Sequence, residues 1–119
     1  MKSLNYVAFF VALVLASVIC NAEDNVYIRS YMPEGPKLIL SCMIGGNFEL
    51  PPGHTQNFTI VEHVLDDCRA FYGPLRAMFI ANAFPPTPYH HYYFWRIRPD
   101  GFFLSANNKL WVRIVTWLG

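Results

Sequence analysis

The sequence predicts an all-β fold, a small antiparallel β-sandwich of about seven strands behind a cleaved leader. Three observations point there. Runs rich in Val, Ile, Tyr, Phe and Trp alternate apolar with polar residues at a period of two. Clusters of Pro, Gly and Asn punctuate those runs at short spacing. No segment beyond residue 24 sustains a long amphipathic helical period.

The first element is the leader. Met1-Lys2 gives a short positive start, and Tyr6 to Ile19 is an uncharged apolar run of 14 residues. Cys20-Asn21-Ala22 then sets small residues at the −3 and −1 positions of a cleavage after Ala22. The rival reading, a membrane anchor, needs about 20 apolar residues. Residues 1–22 are therefore predicted to be a signal peptide and residues 23–119 a single domain, with no stable membrane insertion after cleavage.

Strands follow in order. Residues 25–31 (NVYIRSY) alternate, and Pro33 to Pro36 turn the chain. Residues 37–43 (KLILSCM) form an apolar strand that Gly45-Gly46 breaks. Pro51-Pro52-Gly53 is a second turn, and 57–62 (NFTIVE) alternate again. Residues 76–82 (RAMFIAN) leave Gly73-Pro74, and 90–98 (HHYYFWRIR) are an aromatic strand. Pro99-Asp100-Gly101 is a favoured hairpin turn into 102–105 (FFLS). Asn107-Asn108 turn once more, and 110–117 (LWVRIVTW) close the series. Val61 to Tyr72 reads as a strand end plus loop. The period of two puts His91, Tyr93, Trp95 and Ile97 on a core face, with Leu110, Val112, Ile114 and Thr116 on another.

Composition limits the function classes. Loss of Lys2 with the leader leaves eight Lys and Arg against eight Asp and Glu. A neutral domain does not suit nucleic acid or an anionic membrane as partner. A 97-residue domain has a marginal core, so added constraints help. Cys42 and Cys68 remain as an even pair, and a bridge between them closes a loop worth roughly 3–4 kcal/mol. The other reading is two buried free thiols.

Few residues suggest chemistry. Asn57-Phe58-Thr59 is an N-glycosylation acceptor just after a turn. His90 and His91 are adjacent, so on a strand they face opposite ways and do not chelate one ion. His54 and His63 lack partners at ligand spacing. Asp66-Asp67 fits a solvated loop better than a hydrolytic pair. No phosphate loop or nucleophile elbow is present, so the expectation is a non-enzyme without cofactor or metal.

Two surfaces suit a partner. Arg96, Arg98 and Arg113, with Tyr92, Phe94, Trp111 and Trp117 nearby, combine the side chains that anchor interfaces; the alternative is an ordinary solvated sheet face. The loop 82–89 (NAFPPTPY) is stiffened by Pro85, Pro86 and Pro88 and ends on Tyr89.

Several pieces in sequence order carry a resemblance: Val26 to Ser30, Leu38 to Cys42, Leu50 to Gly53 with Phe58, Met78-Phe79, Tyr93 to Leu104, and Trp111 with Trp117. Together they resemble the plant self-incompatibility protein S1 family, also called S-protein homologues. The most specific stretch is Trp95 to Leu104 with the two late tryptophans behind it. The chain departs from the family in having Ser41 for a His, Ala81 for a Cys, Met43 to Asn47 for an acidic stretch, and no Cys before Trp95. It resembles a divergent member lacking part of the cysteine pattern. The resemblance implies a β-sandwich acting as a secreted signal in the apoplast, recognised by a cell-surface receptor or another extracellular protein. The alternative is a small extracellular enzyme or enzyme inhibitor in defence.

Overall fold

Alternation at a period of two becomes strand within residues 23–61, 64–83 and 91–119, the residues described in a computed structural model of the chain. They form nine strands and no helix: β1 Glu23–Ser30, β2 Leu38–Cys42, β3 Gly46–Glu49, β4 Thr55–Val61, β5 Asp67–Tyr72, β6 Leu75–Ile80, β7 Tyr92–Arg98, β8 Gly101–Ser105 and β9 Val112–Val115. One sheet has five strands in the order β4-β1-β7-β8-β9, the other four in the order β3-β2-β5-β6. The all-β expectation holds. The predicted leader and the loop carrying Pro85, Pro86, Pro88 and Tyr89 lie outside the described residues, as do His63 and His90.

The two sheets share one core. Val26, Ile28, Ile60, Tyr93, Trp95, Ile97, Phe102 and Leu104 from the five-stranded sheet meet Leu38, Leu40, Cys68, Ala70, Ala77 and Phe79 from the other. An aromatic chain crosses between the sheets. Phe79 lies 4.8 Å from Trp95 and 5.1 Å from Phe102, ring centre to ring centre, and Phe102 lies 4.8 Å from Trp117. Each tilted pair adds about 0.5–1.5 kcal/mol beyond the area it buries. The Trp95 indole, 1% exposed, keeps its N–H satisfied by donating to the Ala81 carbonyl at 2.9 Å. Among the described residues no buried side-chain nitrogen or oxygen lacks a partner.

Several elements differ from the sequence reading. Two further strands, β3 and β5, bring the count to nine. Val61 to Tyr72 is not all loop, because Cys68, Ala70 and Tyr72 alternate inward between Arg69 and Phe71 along β5. That strand is interior to its sheet. The ladders are not all antiparallel either: β1 runs parallel to β7, Tyr27 opposite Phe94 and Arg29 opposite Arg96. The chain between β1 and β7 runs through β2 to β6, which includes all four strands of the other sheet, so the return to β1 is a long crossover and not a hairpin.

The last strand is also corrected. Of the set expected to face inward, Leu110 and Val112 are exposed. The register breaks between Phe102 and Phe103, so that Phe102 opposes Val115 while Phe103 opposes Arg113. Ile114 is the extra residue of the bulge, and alternation does not carry across it. Beyond it the chain crosses to the other sheet, where Leu118 and Arg76 exchange main-chain hydrogen bonds.

The Pro99-Asp100-Gly101 hairpin forms as expected, pairing Arg98 with Gly101. Gly101 has φ 138°, and a Cβ there would stand 2.6 Å from the Val115 carbonyl oxygen. Both facts require glycine.

Candidate functional site

Cys42 and Cys68 occupy opposed positions of β2 and β5, and a disulfide joins them. Beside them Asp66 is fully buried. One carboxylate oxygen accepts the Ile44 N–H at 2.8 Å, the other the Gly45 N–H at 3.0 Å. Asp66 is thus a clamp on the β2–β3 turn and not part of a solvated acidic loop. Cys42, Asp66 and Cys68 converge within 4.8 Å. The sulfurs are already bonded to each other and the carboxylate to backbone, so this is not a metal centre.

A polar chain extends from there. Asn82 accepts the Asp66 N–H and donates its amide to the Asp24 carboxylate at 2.9 Å and to the Val64 carbonyl at 2.8 Å. His91 Nδ1 lies 3.4 Å from the same buried Asp24. Burial, with Asp24 as the lesser cause, pushes the neighbouring Tyr93 phenol above its ordinary range. Asp24, Asp66 and Asn82 are buried and knit the two sheets, while His91 is half-exposed beside Asp24.

The outer face of the five-stranded sheet is different. Alternation along β1 and β7 turns Tyr27, Arg29, Tyr92, Phe94, Arg96 and Arg98 away from the core. Tyr27 and Phe94 stack at 5.1 Å, and Tyr92 continues the stack at 6.4 Å from Phe94. The guanidinium of Arg96 lies 4.0 Å from the centre of the Trp111 ring and 5.2 Å from that of Tyr31. Arg29 lies 5.4 Å from the same Tyr31 ring. Such stacking holds a planar cation flat on a ring and leaves its N–H edges free.

Trp111 is put in place by the β8–β9 loop. The Asn107 carboxamide oxygen accepts the Ser105 hydroxyl and the N–H groups of Lys109 and Leu110, all within 3.0 Å. Asn108 next to it takes φ 60°, a conformation asparagine tolerates. The result is a cleft of about 230 Å³ between this loop and the sheet.

The sequence reading of this face is mostly matched in position. Arg96, Arg98 and Arg113 do share it with Tyr92, Phe94 and Trp111. Arg98 stacks near Phe103 and lies 3.5 Å from the Asp100 carboxylate. Trp117 does not belong: its ring packs on Phe102, and its N–H donates to the Arg98 carbonyl. Arg29, Tyr31 and Tyr27 were missed. Tyr27 and Arg29 sit in β1 and Tyr31 just past its end, and only the parallel β1–β7 pairing brings them beside Arg96 and Phe94. Asn57 is exposed on β4, opposite Tyr27.

A second concavity, about 300 Å³, lies at one end of the sandwich against the turn at residues 33–37. Glu34 and Glu49 line it, both exposed, with Lys37 Nζ 4.0 Å from Glu49. These are hydrated acids, not an enclosed catalytic pair that excludes water.

The fold and this face define a two-sheet, disulfide-linked all-β protein with a cationic, aromatic surface. Compared with family models, with curated proteins and with solved structures, the chain has no match.

Proposed function

We propose that the chain is a small secreted extracellular ligand or binding module, recognised by a cell-surface partner, and that it does not act by catalysis. The resemblance to self-incompatibility S-proteins supports that class, as does the signal-like leader. The disulfide is weakly in keeping with an extracellular setting. The observation that carries the proposal is the outer face of the five-stranded sheet. Arg and large aromatic side chains are the usual anchors of interfaces. Here Arg29 and Arg96 are paired across two strands and lie over the Tyr31 and Trp111 rings, and Arg29, Arg96 and Arg113 form no ion pair among the described residues.

The test is saturable binding of the oxidised protein to intact cell surfaces. Arg96→Gln is expected to weaken binding about tenfold or more, as loss of an anchoring Arg does. Arg76→Gln, an exposed Arg on the other sheet, is the control and should bind as wild type. No saturable binding, or equal losses from the two variants, sinks the proposal.

A further inference from the structure

Arg29 and Arg96 stand at paired positions of two adjacent parallel strands, on the same face. Like charges directly opposed across a ladder are destabilising. Proteins commonly relieve such a pair with a carboxylate, yet none lies within ion-pair distance of either group among the described residues. Both guanidiniums instead rest on the Tyr31 ring, and Arg96 also rests on Trp111. Their side chains are ordered by stacking before any ligand arrives. Two preorganised forks with free N–H edges are suited to a planar oxyanion held bidentately.

The surroundings narrow the ligand. Thr55 and Asn108 line the same cleft as the two arginines. They offer neutral donors and acceptors around the charged centre. The stacked Tyr27 and Phe94 rings supply an apolar platform next to it. β1 and β7 are interior strands, paired on both sides. A peptide lying over the two arginines would therefore find no open ladder edge there, since the sheet's edge is β4 on the Thr55 side, and would bind them through side chains alone.

We infer that the Arg29–Arg96 cleft binds a carboxylate-bearing glycan, with the guanidiniums on the acid group, Thr55 and Asn108 on hydroxyls, and a sugar ring against the aromatic platform. The inference rests on the recognition reading above and names the chemistry its partner presents at this face.

The protein obtained from expression of the full chain is titrated with polygalacturonate, with neutral dextran and with a sulfotyrosine peptide. Polygalacturonate should bind, and more weakly as salt rises, because the contact is partly ionic. Dextran should not bind. Arg96→Gln should lower affinity about tenfold or more, and Arg96→Lys should fail to restore it, since an ammonium lacks the planar fork. Trp111→Ala, which removes the ring under Arg96, should lose affinity too, with an unchanged far-ultraviolet spectrum showing that the fold survives. Arg76→Gln should bind as wild type. Absence of polygalacturonate binding, full rescue by Lys, equal loss in Arg76→Gln, or preference for the sulfotyrosine peptide overturns the inference. If polygalacturonate fails while Arg96→Gln still abolishes cell-surface binding, the glycan chemistry falls and the recognition face stands. If Arg96→Gln leaves cell-surface binding intact, the face itself falls.

Discussion

Asp66 and Asp67 are neighbours with opposite fates. Asp67 opens β5 half-buried, whereas Asp66 is wholly buried and holds two backbone N–H groups of the β2–β3 turn. A buried carboxylate is tolerable only when its oxygens are satisfied, and here the donors come from more than twenty residues upstream. Nothing local to Asp66-Asp67 announces this, so the pair reads from sequence as a solvated loop. The turn it clamps is tight against the other sheet: a Cβ on Gly45 would stand 2.7 Å from the Phe58 ring. Asp66→Ala strands both N–H groups. Each hydrogen bond to a charged acceptor contributes about 1.5–3 kcal/mol, so losing the two is expected to cost about 3 kcal/mol or more, read from the urea midpoint. Asp66→Asn keeps one acceptor oxygen and should lose less. An Ala variant as stable as wild type would mean that water replaces the carboxylate at no cost.

At the scale of elements, the legible strands were those with large side chains. β1, β7 and the β7–β8 hairpin announce themselves through aromatic alternation and Pro-Asp-Gly chemistry. β5 does not, because its inward residues Cys68 and Ala70 are small and its outward ones mix Arg69 with Phe71. β9 was legible as a strand but not in its face, since one bulge residue reverses the alternation. The parallel β1–β7 pair is a choice of partner, which periodicity does not encode. β5 owes its place in the middle of its sheet partly to the bond from Cys68 to Cys42 on β2. That bond spans 26 residues of sequence. Closing such a loop removes unfolded-state entropy worth roughly 3–4 kcal/mol in the chain-entropy model. The double variant Cys42→Ser with Cys68→Ser should therefore unfold at a markedly lower denaturant concentration. Wild type under reductant should shift by a similar amount, and matching midpoints in oxidised and reduced protein would deny the bond any stabilising role.

On the whole molecule the two outer faces are unlike. The four-stranded sheet exposes Ile39, Phe71 and Met78 among Arg69 and Arg76, while the five-stranded sheet sets Arg29 and Arg96 side by side against stacked rings. Asn57 stands on the arginine side. It is exposed on β4, an edge strand, and pairs across the ladder with Tyr27, which lines the cleft. A glycan there would do two things. It would block β4 from pairing edge to edge with another chain, a hazard any open strand presents. It would also crowd one side of the cleft and leave the Trp111 side open. Protein secreted from cells that glycosylate should therefore carry added mass that an endoglycosidase removes and that Asn57→Gln never acquires. Removing the sugar should strengthen binding to a large cell-surface partner, while a single uronic acid residue, small enough to enter beside Trp111, should bind the two forms alike. If the secreted chain has only its polypeptide mass, Asn57 is an ordinary edge residue. If the sugar is present and its removal weakens binding, the glycan belongs to the recognised surface and does not shield it.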